Sequence, residues 1–348
     1  MRVPVATYPG RLINIEGSTY RYFGGTSYLG IQTDPEFQEL TIRAIRTYGS
    51  NYGASRRSNI QLQIYEQAEK ALAHWIGSES CVTMSSGYLA GQLAASHFNN
   101  RDHKLFYAPN THSALYQSNA KPYTTYTSLN IALREHLDQE RSEIPVVFID
   151  TIDFSGCNYP TFEILKSLPL SSCILVADDS HGIGVVGMDG SGVFRTLSAL
   201  SCKELVLCAS LGKALGLQAG VICGTEQRLE RIKTSDFFGG ASPTAPFYLA
   251  NFLGAMDLYK NKRQQLQRNI VQFLSGLKKD SLLNYMPHYP VFGYSESLLT
   301  AHLRKAGIIV TDFRYPTEDA YATSRIVLTA AHEKDDIEIL TTAINTFG

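Results

Sequence analysis

Hydrophobic and polar positions divide the chain into helical and strand-like stretches. Residues 36–47 and 60–76 carry apolar side chains at three- and four-residue spacing, which predicts two amphipathic helices separated by a polar, glycine-containing loop. From about residue 80 the pattern changes to short apolar runs that alternate with helical stretches. These runs are CVTMSS, PVVFID, CILVAD, ELVLCAS and GVICG.

Such short, nearly all-apolar runs predict strands that are buried on both faces, as in a mostly parallel sheet covered by helices. Residues 245–276 predict long helices, and the tail combines the strands IIVTDF and SRIVLT with a final helix. We therefore expect an α/β protein with an N-terminal segment (1–45), a large ligand-binding domain (46–245) and a smaller C-terminal α+β domain (246–348).

Composition narrows the classes of function. The net charge of -1 over 348 residues gives no reason to expect a nucleic-acid partner. The six cysteines have no zinc-like spacing and several lie in apolar runs, so we expect buried free thiols and no metal site. The chain shows neither an apolar signal core nor a run near the ~18 apolar residues that a membrane span requires. A cytoplasmic protein without a membrane partner is expected.

Two of the predicted strands end in clusters of polar residues. CILVAD leads into Asp178 and His181, and ELVLCAS leads into Ser210 and Lys213. Open α/β sheets bind ligands at such carboxyl ends. A lysine buried in the glycine-rich turn SLGKALG would have a lowered pKa and act as a nucleophilic amine. With Asp178 for a ring nitrogen and His181 for a phenolate oxygen, the set matches what pyridoxal 5'-phosphate requires.

Other interpretations of these residues exist. Gly182, Gly184 and Gly187 fit the spacing of a dinucleotide fingerprint, but MDGSGVF follows as a turn and offers no helix N-terminus to a pyrophosphate. Taken singly, Lys213 is a solvated loop lysine and Asp178 a helix cap. Two adjacent strand ends with complementary chemistry favour the cofactor site.

At these residues the sequence resembles the α-oxoamine synthases, a branch of the fold-type I pyridoxal-phosphate transferases, over nearly the whole chain. The Asp-Asp-Ser-His block resembles the family's block for the cofactor ring, which implies roles for Asp178 and His181. The Ser-Leu-Gly-Lys block implies a phosphate-binding hydroxyl at Ser210 and the Schiff-base lysine at Lys213. The C-terminal block SRIVLTAAH, residues 324–332, is most similar to the oxononanoate synthases.

Further blocks extend the resemblance. Ser86, Gly87 and Tyr88 match a turn that binds phosphate through backbone N–H groups at a helix N-terminus. His112 matches a histidine that stacks on the cofactor ring. Arg325 matches the arginine that binds the substrate carboxylate, a role suited to its planar fork.

The resemblance also implies an activity. Family members condense an amino acid with an acyl thioester, carried by CoA or an acyl-carrier protein, and most lose CO2. They are homodimers with shared active sites, which implies that Ser242 reaches the neighbouring subunit's phosphate. An aminotransferase needs the same aspartate, lysine and arginine and remains an alternative. A non-catalytic partner protein with this fold is a further alternative.

The chain departs from the family pattern mainly in the blocks around the substrate. Ser27 replaces an asparagine of the substrate region, Ile60 replaces a glycine, and Tyr65 replaces a histidine. The segment 150–158 departs throughout. The blocks around the cofactor are better preserved, so the sequence leaves the amino acid and the acyl group open.

Overall fold

The computed structural model describes residues 3–117, 121–139, 141–314 and 322–348. The chain divides into two compact units. The larger unit is Glu39–Met256, and the smaller one combines Met1–Gln38 with Asp257–Gly348. The domain boundaries expected after residues 45 and 245 stay a prediction.

The strands of the described residues are numbered in chain order. They are β1 (Leu12–Ile15), β2 (Ser18–Phe23), β3 (Ser80–Met84), β4 (His103–Tyr107), β5 (Ile144–Asp150), β6 (Ile174–Asp178), β7 (Glu204–Ser210), β8 (Gly220–Gly224), β9 (Asn284–Tyr285), β10 (Val291–Gly293), β11 (Ile308–Arg314) and β12 (Ala322–Val327).

The α-helices are numbered in the same way. They are α1 (Pro35–Tyr48), α2 (Gln63–Ile76), α3 (Gly87–His97), α4 (Tyr126–Asp138), α5 (Phe194–Ser198), α6 (Glu226–Lys233), α7 (Asp236–Gly240), α8 (Pro246–Gly254), α9 (Met256–Gly276), α10 (Ser297–Lys305) and α11 (Lys334–Asn345).

The larger unit is built on a six-stranded sheet in the order β3-β8-β7-β6-β5-β4. The pairs β4–β5, β5–β6 and β6–β7 are parallel, whereas β8 runs antiparallel to both of its neighbours. All residues of β6 and β8 are buried. Burial on both faces explains why these strands are almost wholly apolar in sequence. The predicted α/β class with a mostly parallel sheet is confirmed.

Helix α2 begins at Gln63 and not at residue 60 as predicted. The carbonyl oxygen of Ile60 accepts hydrogen bonds from the hydroxyls of Ser58 and Tyr52. These side-chain bonds hold the preceding segment in a turn. The helix ends at Ile76, as predicted, and Gly77 with a φ of 93° is its C-terminal cap.

The loop that follows β6 is organised by the buried carboxyl group of Asp179. Its two oxygens accept hydrogen bonds from the Thr151 hydroxyl at 2.6 Å and the Val193 backbone N–H at 3.0 Å. A Cβ on Gly182 or Gly192 would lie 2.0 or 2.1 Å from these oxygens. Gly182, a member of the possible dinucleotide fingerprint, thus makes room for Asp179.

The smaller unit contains a second six-stranded sheet in the order β1-β2-β11-β12-β10-β9. The N-terminal hairpin β1–β2 joins this sheet through the parallel pair β2–β11. Asp336, whose side chain is fully buried, stabilises the hairpin region. Its carboxylate accepts hydrogen bonds from Nε of Arg11 at 2.5 Å and from Nε of Arg21 at 2.9 Å. His332 adds a ring stacked on Phe23, with 4.0 Å between centroids.

The cysteines are free, as expected. Four are buried as predicted, whereas Cys157 is exposed and Cys202 is partly exposed, so the prediction of burial is wrong for these two. The described residues include no cluster of three or more His, Cys, Asp or Glu side chains that could hold a metal ion. Within the same ranges, no helix is long and apolar enough to cross a membrane.

Titration of Asp179 should make stability depend on pH. Burial raises the pKa of Asp179 from 3.8 to about 7, against the bonds from Thr151 and Val193. The folded protein holds the Asp179 proton more tightly than the unfolded chain does. This binding stabilises the folded state fully at pH values below the pKa of Asp179 in the unfolded chain, and the stabilisation is lost as the pH rises through about 7. The Asp179→Asn protein should lack this loss.

The measurement is the free energy of urea-induced unfolding at a series of pH values. Asp189→Asn, in the same loop but exposed, is the matched charge control. An unchanged pH dependence in Asp179→Asn would show that Asp179 does not titrate in this way.

Candidate active site

Three neighbouring parallel strands of the larger unit end in polar residues at one edge of the sheet. Asp150 lies opposite Asp178 in the register of β5 and β6, and β7 ends at Ser210. The loops after β6 and β7 carry His181 and Lys213. Because parallel strands place their carboxyl ends at the same edge, the fold brings together the residues predicted from the two strand-end clusters.

The amine of Lys213 lies against His181, with 2.8 Å between Nζ and Nε2. The ring of Phe154 packs edge-on against His181 at 4.8 Å between centroids. Burial lowers the pKa of Lys213, while the charges of Asp178 and Asp150 act in the opposite direction. The net effect is an amine that loses its proton more readily than an ordinary lysine does, as a nucleophile or a base requires.

Asp178 is buried and held in place by the loop that follows it. Its Oδ1 accepts a hydrogen bond from the backbone N–H of Ser180 at 2.8 Å. The hydroxyl of Ser180 accepts a bond from the backbone N–H of Ser210, also at 2.8 Å. These bonds join the ends of β6 and β7, so the carboxyl group has a defined position at the sheet edge.

His112 lies beyond β4 with its ring orientation set by local hydrogen bonds. Its Nδ1 accepts the backbone N–H of Ala114 at 3.1 Å, so a neutral ring carries its proton on Nε2. Burial and the charge of Lys213 lower the pKa of His112, with burial the larger cause, whereas Asp178 raises it. A neutral, oriented imidazole suits the predicted stacking role.

The first turn of α3 lies directly against the end of β7. Ser86 caps the helix by accepting the N–H of Leu89 at 3.1 Å. A Cβ added to Gly87 would lie 2.3 Å from Cβ of Ser210, so glycine alone permits this approach. The unpaired N–H groups of a helix N-terminus attract anions. Tyr88, in the same turn, is largely exposed.

Asp150 is a residue of this edge to which the sequence interpretation assigned no role. Its Oδ1 accepts the backbone N–H of His112 at 3.0 Å, which fixes the start of the His112 segment. Burial, followed by the charge of Asp178, raises the pKa of Asp150 well above its usual value. The signal was present in the sequence, because PVVFID ends in aspartate as CILVAD does.

The divergent segment 150–158 is held by its own hydrogen bonds. Nδ2 of Asn158 donates to the carbonyl oxygen of Asp150 at 2.6 Å, and the Tyr126 hydroxyl donates to Oδ1 of Asn158 at 2.6 Å. Thr151 bonds Asp179 as described above. The residues of segment 150–158 that differ from the family pattern therefore stabilise the ends of β5 and β6.

Ser242 lies exposed after α7, and its predicted role at a neighbouring subunit stays a prediction. The same segment is tied to α2 by Tyr65, whose hydroxyl donates to the carbonyl oxygen of Thr244 at 2.7 Å. Tyr65, which departs from the family histidine, also lies 4.0 Å beneath the Arg56 guanidinium. Ile60 is mostly exposed.

Two predicted substrate residues belong to the smaller unit. Arg325 lies in β12, opposite Gly293 on β10 and Thr311 on β11. Burial lowers the pKa of its guanidinium. Ser27 is hydrogen bonded through its hydroxyl to the Tyr8 hydroxyl at 2.7 Å. Their predicted substrate roles stay predictions.

The larger unit fits pyridoxal 5'-phosphate on its own geometry. It offers a buried lysine amine and a buried carboxylate at one sheet edge, with the N-terminus of α3 beside them. The close approach that Gly87 permits is the most specific feature, since any side chain there would fill the space against Ser210. This combination fits a cofactor that attaches to a lysine amine.

Comparison with known proteins agrees with this class. The family model for class I and II aminotransferases matches residues 28–344. The 8-amino-7-oxononanoate synthase of Cronobacter sakazakii is 27% identical, covering 99% of this chain and 93% of that protein. A structure of SPT with its PLP internal aldimine aligns with a TM-score of 0.82 at 18% identity, covering 99% of this chain and 91% of that one.

A Sphingomonas wittichii serine palmitoyltransferase aligns with a TM-score of 0.79 at 18% identity and the same coverages. The chain therefore belongs to the class I and II aminotransferase family. It is an enzyme, and the predicted fold type and the predicted cofactor, pyridoxal phosphate, are confirmed.

Replacing Asp150 should alter Lys213 without removing its neighbours. Asp150→Asn keeps an oxygen that can accept the His112 N–H, but it removes the negative charge that Asp150 carries above its own raised pKa and that raises the Lys213 pKa. The pKa of Lys213 should therefore fall further. The rate of reductive methylation of Lys213 in cofactor-free protein, followed against pH by peptide mass spectrometry, gives this pKa.

Asp138→Asn, at the exposed end of α4, is the control and should leave the pKa of Lys213 unchanged. A midpoint that is unchanged or raised in Asp150→Asn would contradict the assigned interaction.

Proposed function

We propose that this enzyme condenses a small amino acid with an acyl thioester, releasing a thiol and CO2. The observation that carries the proposal is the contact between Lys213 and His181 at the sheet edge that also holds Asp178. The similarity of the chain to curated 8-amino-7-oxononanoate synthases, within the class I and II aminotransferase family, supports the reaction type.

In this proposal the cofactor supplies one property: when bound, it accepts the electron pair released as a bond at the amino acid Cα breaks. The carboxyl group of Asp178 would lie near the ring nitrogen and favour its protonated form. His181 would donate a hydrogen bond to the ring oxygen. His112, whose ring is oriented by the Ala114 N–H, would pack on the ring face.

The phosphate end is assigned to α3 and β7. The backbone N–H groups of Ser86, Gly87 and Tyr88 and the hydroxyl of Ser210 would bind the phosphate, in keeping with the anion preference of a helix N-terminus. We propose that the enzyme is a homodimer in which Ser242 of each subunit approaches the phosphate in the other. The exposure of Ser242 in the single chain is compatible with that role.

Lys213 has two duties in the proposed reaction. Its amine would hold the cofactor, and the same amine in its free, neutral form would take the Cα proton of the amino acid. A lowered pKa serves both duties because each requires the neutral amine. Arg325 binds the substrate carboxylate with its planar guanidinium, and Ser27 lies in the substrate region.

For the substrates we propose alanine and a pimeloyl thioester, carried by CoA or by a carrier protein. The basis is the similarity to relatives named 8-amino-7-oxononanoate synthase, at 27% and 26% identity. Ser27 makes the proposed substrate region different from that of the family, which has an asparagine at this position. The serine hydroxyl is shorter than an asparagine amide and is hydrogen bonded to the Tyr8 hydroxyl.

The test is a screen of purified, cofactor-loaded protein with glycine, alanine and serine against a panel of acyl thioesters. Thiol release and the mass of the product are measured. We expect alanine with pimeloyl-CoA or its carrier-protein form to release thiol and yield a product that has lost CO2. The Lys213→Ala protein should release none, since it lacks both the binding amine and the base.

Absence of thiol release from every pair, together with conversion of the cofactor to its pyridoxamine form by amino acid alone, would contradict the proposal. That outcome would assign an aminotransferase. Thiol release with a different pair would keep the reaction type and replace the substrates.

A further inference from the structure

The segment between β2 and α1 runs beside the strand that carries Arg325. The backbone N–H of Gly25 donates to the Thr311 hydroxyl at 3.1 Å, and Thr311 lies opposite Arg325 in the register of β11 and β12. Three residues further on, the carbonyl oxygen of Tyr28 accepts a backbone N–H from the chain that continues from β12, at 3.0 Å. Ser27 lies between these two attachment points and is therefore held beside the part of the sheet that contains Arg325.

A hydrogen bond links Ser27 to the N-terminal segment of the chain. The hydroxyl oxygens of Tyr8 and Ser27 are 2.7 Å apart. Ser27 is partly exposed, and Tyr8 is 50% exposed. The two hydroxyls therefore lie where a small molecule can approach them.

The position of Tyr8 is set by its own turn and by the residues that follow it. The carbonyl oxygen of Tyr8 accepts the N–H of Gly10 at 3.0 Å, and a Cβ added to Gly10 would lie 3.4 Å from Cγ2 of Thr33. Arg11 then bonds the buried carboxylate of Asp336. The backbone that carries the exposed Tyr8 side chain is thus attached to the rest of the smaller unit.

The direction of the bond between Tyr8 and Ser27 decides what Ser27 can offer to a ligand. A hydroxyl has one proton and two lone pairs. Because a phenol is more acidic than an aliphatic hydroxyl, the favoured arrangement has Tyr8 as the donor and Ser27 as the acceptor. The proton of Ser27 is then available to a second acceptor. A carboxylate is well suited to be that acceptor, since hydrogen bonds to ionised oxygens are stronger than those to neutral ones.

We infer that Tyr8 is a positioning residue for the substrate carboxylate, because it orients the Ser27 hydroxyl as a donor to one carboxylate oxygen. A free serine hydroxyl rotates among several directions, whereas one that already accepts a bond has fewer directions left for its proton. Ordering the donor before binding removes that cost from the binding step. An asparagine carries its donors on its own amide, and in this chain Tyr8 and Ser27 supply the donor together. The inference rests on the proposed role of Ser27 in the substrate region.

The test compares alanine with ethylamine, which is the same molecule without its carboxylate. Dissociation constants are taken from the spectral change of the cofactor-loaded protein on titration with each ligand. Tyr8→Phe keeps the ring and removes the hydroxyl. It should weaken alanine binding roughly fivefold, the size expected for one hydrogen bond, and leave ethylamine binding unchanged. If the thioester screen assigns a different amino acid, that amino acid and its decarboxylated amine replace this pair.

A double-mutant cycle shows whether Tyr8 acts through Ser27. Ser27→Ala should weaken alanine binding selectively and at least as much, because it removes the donor itself. Adding Tyr8→Phe to Ser27→Ala should have no further effect, since residues that act through one hydrogen bond are not additive. Tyr285→Phe is the matched control. Tyr285 is an exposed tyrosine in β9 of the smaller unit, and its replacement should change neither dissociation constant.

The same variants separate the inference from the proposed role of Ser27. If Ser27→Ala weakens alanine selectively and Tyr8→Phe does not, the inference is wrong and the role of Ser27 stands. If Ser27→Ala leaves the preference for alanine over ethylamine intact, both are wrong. Equal weakening of both ligands by Tyr8→Phe, or the same loss of alanine binding with and without the Ser27 hydroxyl, would also overturn the inference.

Discussion

The amine of Lys213 is buried beside the carboxyl groups of Asp178 and Asp150, and burial and charge act on it in opposite directions. The parallel register of β5, β6 and β7 creates this arrangement, because it places three polar strand ends at one edge. Hydrogen bonds to these strand ends then fix the positions of the loops that follow them. Ser180 joins β6 to β7.

The pattern of the sequence was enough to predict this edge but not its electrostatics. Apolar runs that end in polar clusters predicted the strands, and parallel pairing then brought Asp178 and Lys213 together. Asp150 was missed because a strand-end aspartate alone is common, and its effect depends on the register with Asp178. The contact of Gly87 with Ser210 likewise depends on packing that local sequence does not encode.

The smaller unit was harder to predict because its contacts join distant parts of the chain. Nothing in the local pattern of β2 indicates that it pairs with β11, or that Arg11 and Arg21 share Asp336. The hydrogen bond from the Tyr289 hydroxyl to the Tyr28 hydroxyl has the same character, since these two residues meet only in the fold. The two units thus divide the proposed chemistry, with residues for the cofactor in the larger one and the carboxylate residue in the smaller one.

The central claim is that Lys213 holds the cofactor. Treating the cofactor-loaded protein with borohydride, digesting it and sequencing the peptides by mass spectrometry identifies the lysine that becomes covalently labelled. The account predicts a phosphopyridoxyl group on Lys213 in the peptide that follows β7. Label on a different lysine, or none on Lys213 in protein that contains bound cofactor, would contradict it.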